Sequence, residues 1–223
     1  MKKLNEMRIE KRLTSSFRIT TMITSVAAIA AILVLLIISS RYTYALRYFG
    51  FAQGDIGQAI ILFTDARGDT RAIVGYDDQS VISNLVSQFD EDKEGFTSKW
   101  KEVEAVLVTD ETKSTYQTIN DKLQDYWALN EEIIELGKTV SDKASRQQAQ
   151  SKALNELAPA YEEIDSLMNE LLNEKTSRGE SLDNTLNITT YILVVAAVIV
   201  LVISFNISVR FGRFIARGIA EPV

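Results

Sequence analysis

Arg67 and Arg71 are the side chains of this sequence best placed to bind an anion, because they lie four residues apart. Residues at i and i+4 share one face of a helix, and two guanidinium groups on one face can grip a carboxylate. The alternative is that both arginines pair with acids, such as Asp65 and Asp69 or acids on a neighbouring helix. The sequence is compatible with a carboxylate site and with structural ion pairs.

Asn155 and Tyr161 complete the predicted ligand site. In an antiparallel bundle they lie at about the same height as the arginine pair, and Pro159 between them removes a backbone donor and predicts a kink or a late helix start. A kink could open a pocket there, but Tyr161 also occupies a heptad position and could simply be a core residue. A cationic ligand held by the surrounding acids is the rival to an anionic one.

The sequence contains no histidine and no cysteine, which excludes Ser–His and Cys–His nucleophiles, His–Cys zinc sites and disulfides. The adjacent acids Glu131–Glu132 and Glu162–Glu163 resemble catalytic carboxylate pairs, but neighbouring residues of a helix point about 100° apart. We therefore interpret them as solvated faces. The chain is predicted not to be an enzyme and to carry no cofactor and no metal.

Heptad periodicity in four segments predicts the elements that position these side chains. The expected fold is all-α, a membrane-anchored antiparallel up-down four-helix bundle, and no segment alternates with the period of two that a sheet requires. Turns are predicted at Gly75–Asp78 and Thr109–Thr112, and the polar stretch Ser141–Gln150 is predicted to be a solvent-exposed tip. The four series run from Ala45 to Ile73, Ile82 to Leu107, Tyr116 to Val140 and Leu157 to Thr185.

Two apolar stretches approach the roughly 20 residues that cross a hydrocarbon core, and we expect transmembrane helices at 19–39 and 188–207. Basic residues precede the first and follow the second, so both termini are expected to be cytoplasmic, with 1–18 a basic tail. Residues 40–187 carry 27 acidic and 15 basic residues, a formal charge of −12, and are expected to be extracytoplasmic. The alternative for the first stretch is a signal peptide cleaved near Thr43–Ala45.

Apolar residues off the seam of the first bundle helix, around Ile60 and Leu62, predict a parallel homodimer. Asp92 and Asn130 are polar residues within the seams, where such residues typically fix the register of packing. Lys175 also lies in a seam, followed by the polar stretch 176–180. We interpret this zone either as a conformational hinge or as a region splayed by lipid headgroups.

Two local sequences add a family resemblance. The end of the chain, Phe214-Ile-Ala-Arg-Gly-Ile-Ala-Glu-Pro222, is similar to the opening of a HAMP linker, which would place such a linker at 208–223. The stretch from Gln53-Gly-Asp-Ile-Gly57 to Gly75-Tyr-Asp-Asp78 is similar to first-helix sequence of the same family. Over nearly its whole length the chain resembles the sensory half of bacterial methyl-accepting chemotaxis receptors.

The resemblance implies a chemoreceptor module of the bacterial plasma membrane that binds a small extracytoplasmic ligand, or a ligand-loaded binding protein. Such a module passes a helix displacement to a HAMP linker and reaches signalling proteins only through a cytoplasmic region missing here. In that family, arginines near the distal end of the first bundle helix bind carboxylates at the dimer interface. The sensor of a histidine kinase or cyclase, and a non-sensing structural or adaptor protein, are the alternatives.

The partners that follow are the lipid bilayer, a second copy of the chain and the ligand, with no nucleic acid. The sequence ends at Val223, before any complete HAMP linker or methylation helices. The chain is therefore expected to be a fragment, or to have its output carried by another protein.

Overall fold

The computed structural model describes residues 9–220, all but a few of them helical. Glu221 and Pro222 of the predicted HAMP opening, and the first eight residues of the predicted basic tail, lie outside this range. The described residues contain no strand. The helices are α1 (Ile9–Ala45), α2 (Phe51–Gly75), α3 (Gln79–Glu104), α4 (Asp110–Gly137), α5 (Lys143–Lys152) and α6 (Ala158–Ala220), with π-helical turns at Leu46–Gly50 and Ala153–Leu157.

A four-helix bundle forms one of two compact units, residues Tyr44–Leu182. It consists of α2, α3, α4 and a fourth helical segment made of α5, the turn Ala153–Leu157 and the first part of α6. The predicted all-α four-helix bundle is therefore confirmed. The second unit contains the segments up to Thr43 and from Asp183 onward.

The heptad seams form the core of the bundle, as predicted. On α2 and the turn before it, all eight seam residues from Phe49 to Ile73 are buried. The ring of Phe63 lies at the centre of an aromatic cluster, with centroids 4.8 Å from Tyr126 and 5.0 Å from Tyr161. Fully burying an aromatic or aliphatic side chain contributes about 1.5–3 kcal/mol, so this core supplies much of the stability.

Side-chain caps begin three of the helices. At the start of α3, Asp78 accepts hydrogen bonds from the hydroxyl of Ser80 and from the amides of Ser80 and Val81, which lower the pKa of its carboxyl. Thr109 forms a capping box with Thr112 at the start of α4. The predicted turns at Gly75–Asp78 and Thr109–Thr112 therefore end one helix and begin the next.

The predicted solvent-exposed tip at Ser141–Gln150 is exposed at seven of its ten residues, but most of it is helical and two of its residues are buried. Asp142 caps α5, which begins at Lys143, and this helix buries Arg146 and Ala149. Ala149 fits because Gly137 lies against it, where a Cβ would come within 2.9 Å of the side chain of Val74. Arg146 fits because backbone carbonyls surround its guanidinium group.

Pro159 is the second residue of α6, and the second π-helical turn ends two residues before it. The chain is already helical before the proline, so no late helix start occurs here. The amide of Ala158 donates to the carbonyl of Ala153, five residues back, so the backbone is wider than an α-helix before the proline. Proline has no amide hydrogen and its ring collides with the carbonyl four residues earlier. The π-helical turn accommodates this collision, and the helix begins earlier in the chain than predicted.

The second unit is strongly apolar. The helices α1 and α6 each contain a stretch that is long and apolar enough to cross a membrane. Side chains along these stretches, such as Leu33 and Ile192, are more than half exposed. Such exposure suits a lipid environment, and the orientation of the spans stays a prediction.

Candidate functional site

Arg67 lies on α2 and reaches across to α6. Its guanidinium group donates a hydrogen bond to Glu162 at 3.1 Å and lies over the ring of Tyr161, 3.8 Å from the ring centre. This ion pair with an acid on a neighbouring helix is the structural alternative that the sequence analysis set beside a carboxylate site. It is solvated, because 68% of the Glu162 side chain is exposed. Arg67 therefore combines a cation–π contact with a solvated ion pair, which together fix its position.

Arg71, one turn further along α2, has different surroundings. It is exposed, and within residues 9–220 the structure gives its guanidinium group no ion pair or hydrogen bond. The residue lines a cavity of about 260 Å³, which we call the arginine cavity. Its other lining residues are Arg67, Val74, Gln150, Ala153, Leu154, Leu157 and Ala158.

The wall of the arginine cavity opposite α2 is apolar and comes mostly from the second π-helical turn. Leu154 in this turn is 75% exposed and lies at the surface of the cavity. Gln150 sits beside it and donates its amide hydrogen to the carbonyl of Val74 at 2.8 Å. The cavity thus offers one free cation, a polar edge and an apolar surface.

Arg146 holds this wall against α2, and sequence analysis did not single it out. Its guanidinium group donates to the carbonyls of Gly137 at 2.8 Å and Val74 at 3.3 Å, and to that of Tyr76. The ion pair with Asp77 is weak support because that carboxylate is 92% exposed. Arg146 therefore ties α5 to the carboxyl ends of α2 and α4.

The structure brings Tyr161 to Arg67, but neither Tyr161 nor Asn155 lines the arginine cavity. Tyr161 is a core residue, 5% exposed, with its hydroxyl 2.9 Å from Thr64 and its ring stacked on Phe63. Asn155 is exposed, donates to Ser151 at 3.2 Å and does not line the arginine cavity. Asn155 lies two residues before the buried Leu157 and therefore points to another side of the helix, whereas Leu154 lies three residues before it, on the same side.

A second cavity, of about 620 Å³, lies between α2 and α3 and is lined mainly by acids. Burial, followed by the nearby carboxylates of Asp92 and Asp65, raises the pKa of Asp69 to about 6. Burial also raises the pKa of Asp92. Among the described residues no cluster of acids is arranged to hold a metal ion. The lining residues are Thr64, Asp65, Gly68, Asp69, Gln88, Glu91 and Asp92.

Asn130 lies in the core as the seam pattern predicted. It is fully buried, accepts a hydrogen bond from Thr70 at 2.8 Å and donates to the carbonyl of Tyr126 at 2.9 Å. The hydrogen bond between Thr70 and Asn130 links α2 to α4, and it forms only when the two helices are packed in this axial register. Such a bond suits the register role expected of a polar seam residue.

A comparison with protein families identifies the class of this helical module. A family model described as a four helix bundle sensory module for signal transduction matches residues 6–189. The chain therefore belongs to this family, the four-helix-bundle sensory modules of chemotaxis receptors. Comparison with curated proteins and with solved structures gives no match.

Proposed function

We propose that the chain is the sensory part of a transmembrane chemoreceptor that binds a small extracytoplasmic ligand in the arginine cavity. The observation that carries the proposal is Arg71, an exposed arginine without a partner within residues 9–220, beside the apolar wall of a cavity in a sensory module. The role is non-enzymatic. Binding shifts α6, and the shift reaches a HAMP-type linker that begins near residue 208.

The chemistry of the cavity points to a monocarboxylate with a short apolar group. Arg67 is already engaged by Glu162 and Tyr161, so Arg71 supplies the free charge for one carboxylate. Leu154 and the neighbouring alanines supply an apolar surface for the rest of the molecule. A volume of about 260 Å³ lies just below the usual range of ligand pockets, about 300–1,000 Å³, and therefore suits only a small molecule, of amino-acid size.

The membrane arrangement is part of the same proposal. Residues 1–18 and 208–223 are cytoplasmic, 19–39 and 188–207 cross the bacterial plasma membrane, and 40–187 is extracytoplasmic. The two apolar helices and the basic residues at both ends support this arrangement. The formal charge of −12 on the extracytoplasmic part does not prevent anion binding, because salt screens charges beyond about 8 Å.

The test is a thermal-shift screen of the full chain in lipid nanodiscs with short-chain carboxylates, apolar amino acids and amines. We expect a carboxylate to raise the unfolding temperature, and Arg71→Ala to weaken its affinity roughly 10- to 100-fold, the effect of removing one charge-assisted hydrogen bond. Arg47→Ala is the matched control, because Arg47 is an exposed arginine that does not line the cavity.

Two outcomes would refute the arginine site. The first is a carboxylate that binds Arg71→Ala as tightly as it binds the wild type. The second is stabilisation by amines alone, which would move attention to the acidic cavity between α2 and α3. The control Arg47→Ala separates a local effect of Arg71 from a general change in net charge.

A further inference from the structure

Among residues 9–220, Lys175 is a buried lysine without a carboxylate partner. Its side chain lies in the seam of α6 and is 0% exposed. Its ammonium group donates to the carbonyl of Val106 at 2.7 Å and lies 3.5 Å from the carbonyl of Tyr48. The neighbouring Glu174 pairs with Arg178 at 2.7 Å instead. The ammonium charge is therefore stabilised by carbonyl dipoles, and burial lowers the pKa of Lys175.

The two carbonyls belong to two different segments of the bundle. Tyr48 lies in the π-helical turn Leu46–Gly50 between α1 and α2, and Val106 lies in the connection between α3 and α4. Lys175 therefore joins α6 to both segments at a single point. We call this arrangement the lysine contact, made of Tyr48, Val106 and Lys175.

Close packing around the lysine contact leaves α6 little freedom to slide. The ring of Phe49 lies 5.5 Å from the ammonium group of Lys175. One turn further along α6, a Cβ on Gly179 would lie 3.4 Å from the Cβ of Phe49 and 3.3 Å from the side chain of Gln53. The absence of a side chain at Gly179 thus allows α6 to approach the π-helical turn closely.

Stability does not explain a lysine in this place. The preceding seam residues of α6, Met168 and Leu171, are apolar and fully buried. A buried charge without an opposite charge is costly to remove from water, a cost that an apolar side chain in the same place does not have. A polar side chain in a seam does, however, favour one register of packing over all others.

We propose that Lys175 is a positioning residue that fixes the axial position of α6 against the turn Leu46–Gly50. The hydrogen bond to Val106 is 2.7 Å long and is lost when it lengthens to about 3.5 Å. That lengthening of about 0.8 Å is less than the rise of about 1.5 Å for one residue of a helix. A displacement of α6 therefore breaks this bond or transfers it to the second carbonyl, that of Tyr48. Two acceptors favour two discrete positions over a continuous slide.

The signalling consequence of this inference rests on the proposed function, but the position of α6 can be measured without any ligand. The chain contains no cysteine, so spin labels attach only at introduced thiols. Gln58→Cys on α2 and Ser177→Cys on α6 place labels at two exposed positions of the bundle. Pulsed electron paramagnetic resonance on the full chain in nanodiscs, diluted with unlabelled chain, then gives the distance distribution within one molecule.

We expect one narrow distance distribution for the otherwise wild-type chain and for Lys175→Arg, which keeps the charge and can donate to both carbonyls. Lys175→Met is expected to shift or broaden the distribution by at least about 1.5 Å, the rise of one residue. Lys113→Met is the matched control, because Lys113 is an exposed lysine on α4.

A wild-type distance distribution in folded Lys175→Met would overturn the proposal, whatever its unfolding temperature. Circular dichroism establishes that each variant is folded. If Lys175→Met does not fold, Lys175→Gln replaces it, since its amide is one atom shorter and must draw α6 closer or lose the bond. An unchanged distribution in Lys175→Gln would then overturn the proposal. Because no ligand is present, a failure of the arginine site leaves this result unaffected.

Discussion

At the scale of single residues, the two arginines of α2 show why a charged pair in a sequence is an incomplete guide to a site. Arg67 and Arg71 share a helix face, yet Arg67 is held by Glu162 and Tyr161, while Arg71 has no partner in the part of the chain that the structure describes. Their spacing could be read from the sequence. The difference between them could not, because it depends on which residues α6 presents at the same height.

The first prediction concerns the contribution of Arg146 to the stability of the bundle. Arg146→Met removes the donors that satisfy the carbonyls of Gly137 and Tyr76, and leaving buried carbonyls without partners costs roughly 2–4 kcal/mol. The unfolding temperature should fall by about 5–15 °C, measured by circular dichroism on the full chain in detergent. Arg178→Met is the control, because Arg178 is 42% exposed and its ion pairs contribute little. Equal unfolding temperatures for the two variants would contradict the role assigned to Arg146.

Asp69 carries the second prediction, on pH. Its pKa of about 6 lies above the ordinary value for an unfolded aspartate, about 3.9, so the folded state binds the proton more tightly. Ionised Asp69 therefore lowers the free energy of unfolding by its full amount above about pH 6, and this loss declines as the pH falls towards 4. Asp69→Asn should raise the unfolding temperature at pH 7.5, and this gain should shrink at pH 4.5.

Asp90→Asn serves as the control for Asp69, because Asp90 is an exposed acid on α3 outside the acidic cavity. Its unfolding temperature, relative to the wild type, should not follow the same trend between pH 7.5 and 4.5. A gain from Asp69→Asn that stays constant or grows towards acid pH would show that the carboxyl is not held in its protonated form.

At the scale of elements, the sequence predicted the buried seams and the capped turns, which depend on residues close together in the chain. It missed the helix α5, which depends on residues far away in the chain. The seam from Phe49 to Ile73 is buried as its spacing required, and the caps at Asp78 and Thr109 lie where short polar residues follow a break. The helix α5 was missed because burial of Arg146 needs carbonyls from the ends of α2 and α4. No run of sequence within 141–150 contains that information.

The prediction about dimer formation concerns the outer face of α2. Ile60 and Leu62, which suggested a dimer, are half-buried and pack against the core, whereas Phe51 and Ile61 are 66% and 59% exposed. We propose that this exposed face meets its copy in a parallel homodimer. Ile61→Cys and Gln58→Cys should each form symmetric crosslinks in membranes, at least about 10-fold faster than Ser87→Cys on α3. Equal rates at all three positions would argue against this interface.

At the scale of the whole molecule, the chain combines a bundle with its own core and two helices suited to a membrane, and it belongs to a family of sensory modules. The helix α6, from Ala158 to Ala220, contributes to both. It lines the arginine cavity near its start and carries Lys175 further along. A sensor needs such an element, because a ligand acts at a distance only by favouring one of two arrangements of the protein.

The most direct test of this account is whether a ligand in the arginine cavity moves α6 relative to α2. The labels at Gln58→Cys and Ser177→Cys, measured in nanodiscs with and without the carboxylate that most stabilises the chain, report that movement. The account predicts that saturating carboxylate shifts the distance distribution of the labelled chain by about 1–2 Å, on the scale of known helix shifts, and leaves the same chain with Arg71→Ala unchanged. Saturation with carboxylate that leaves the distribution unchanged, or an equal shift at saturation in Arg71→Ala, would contradict it.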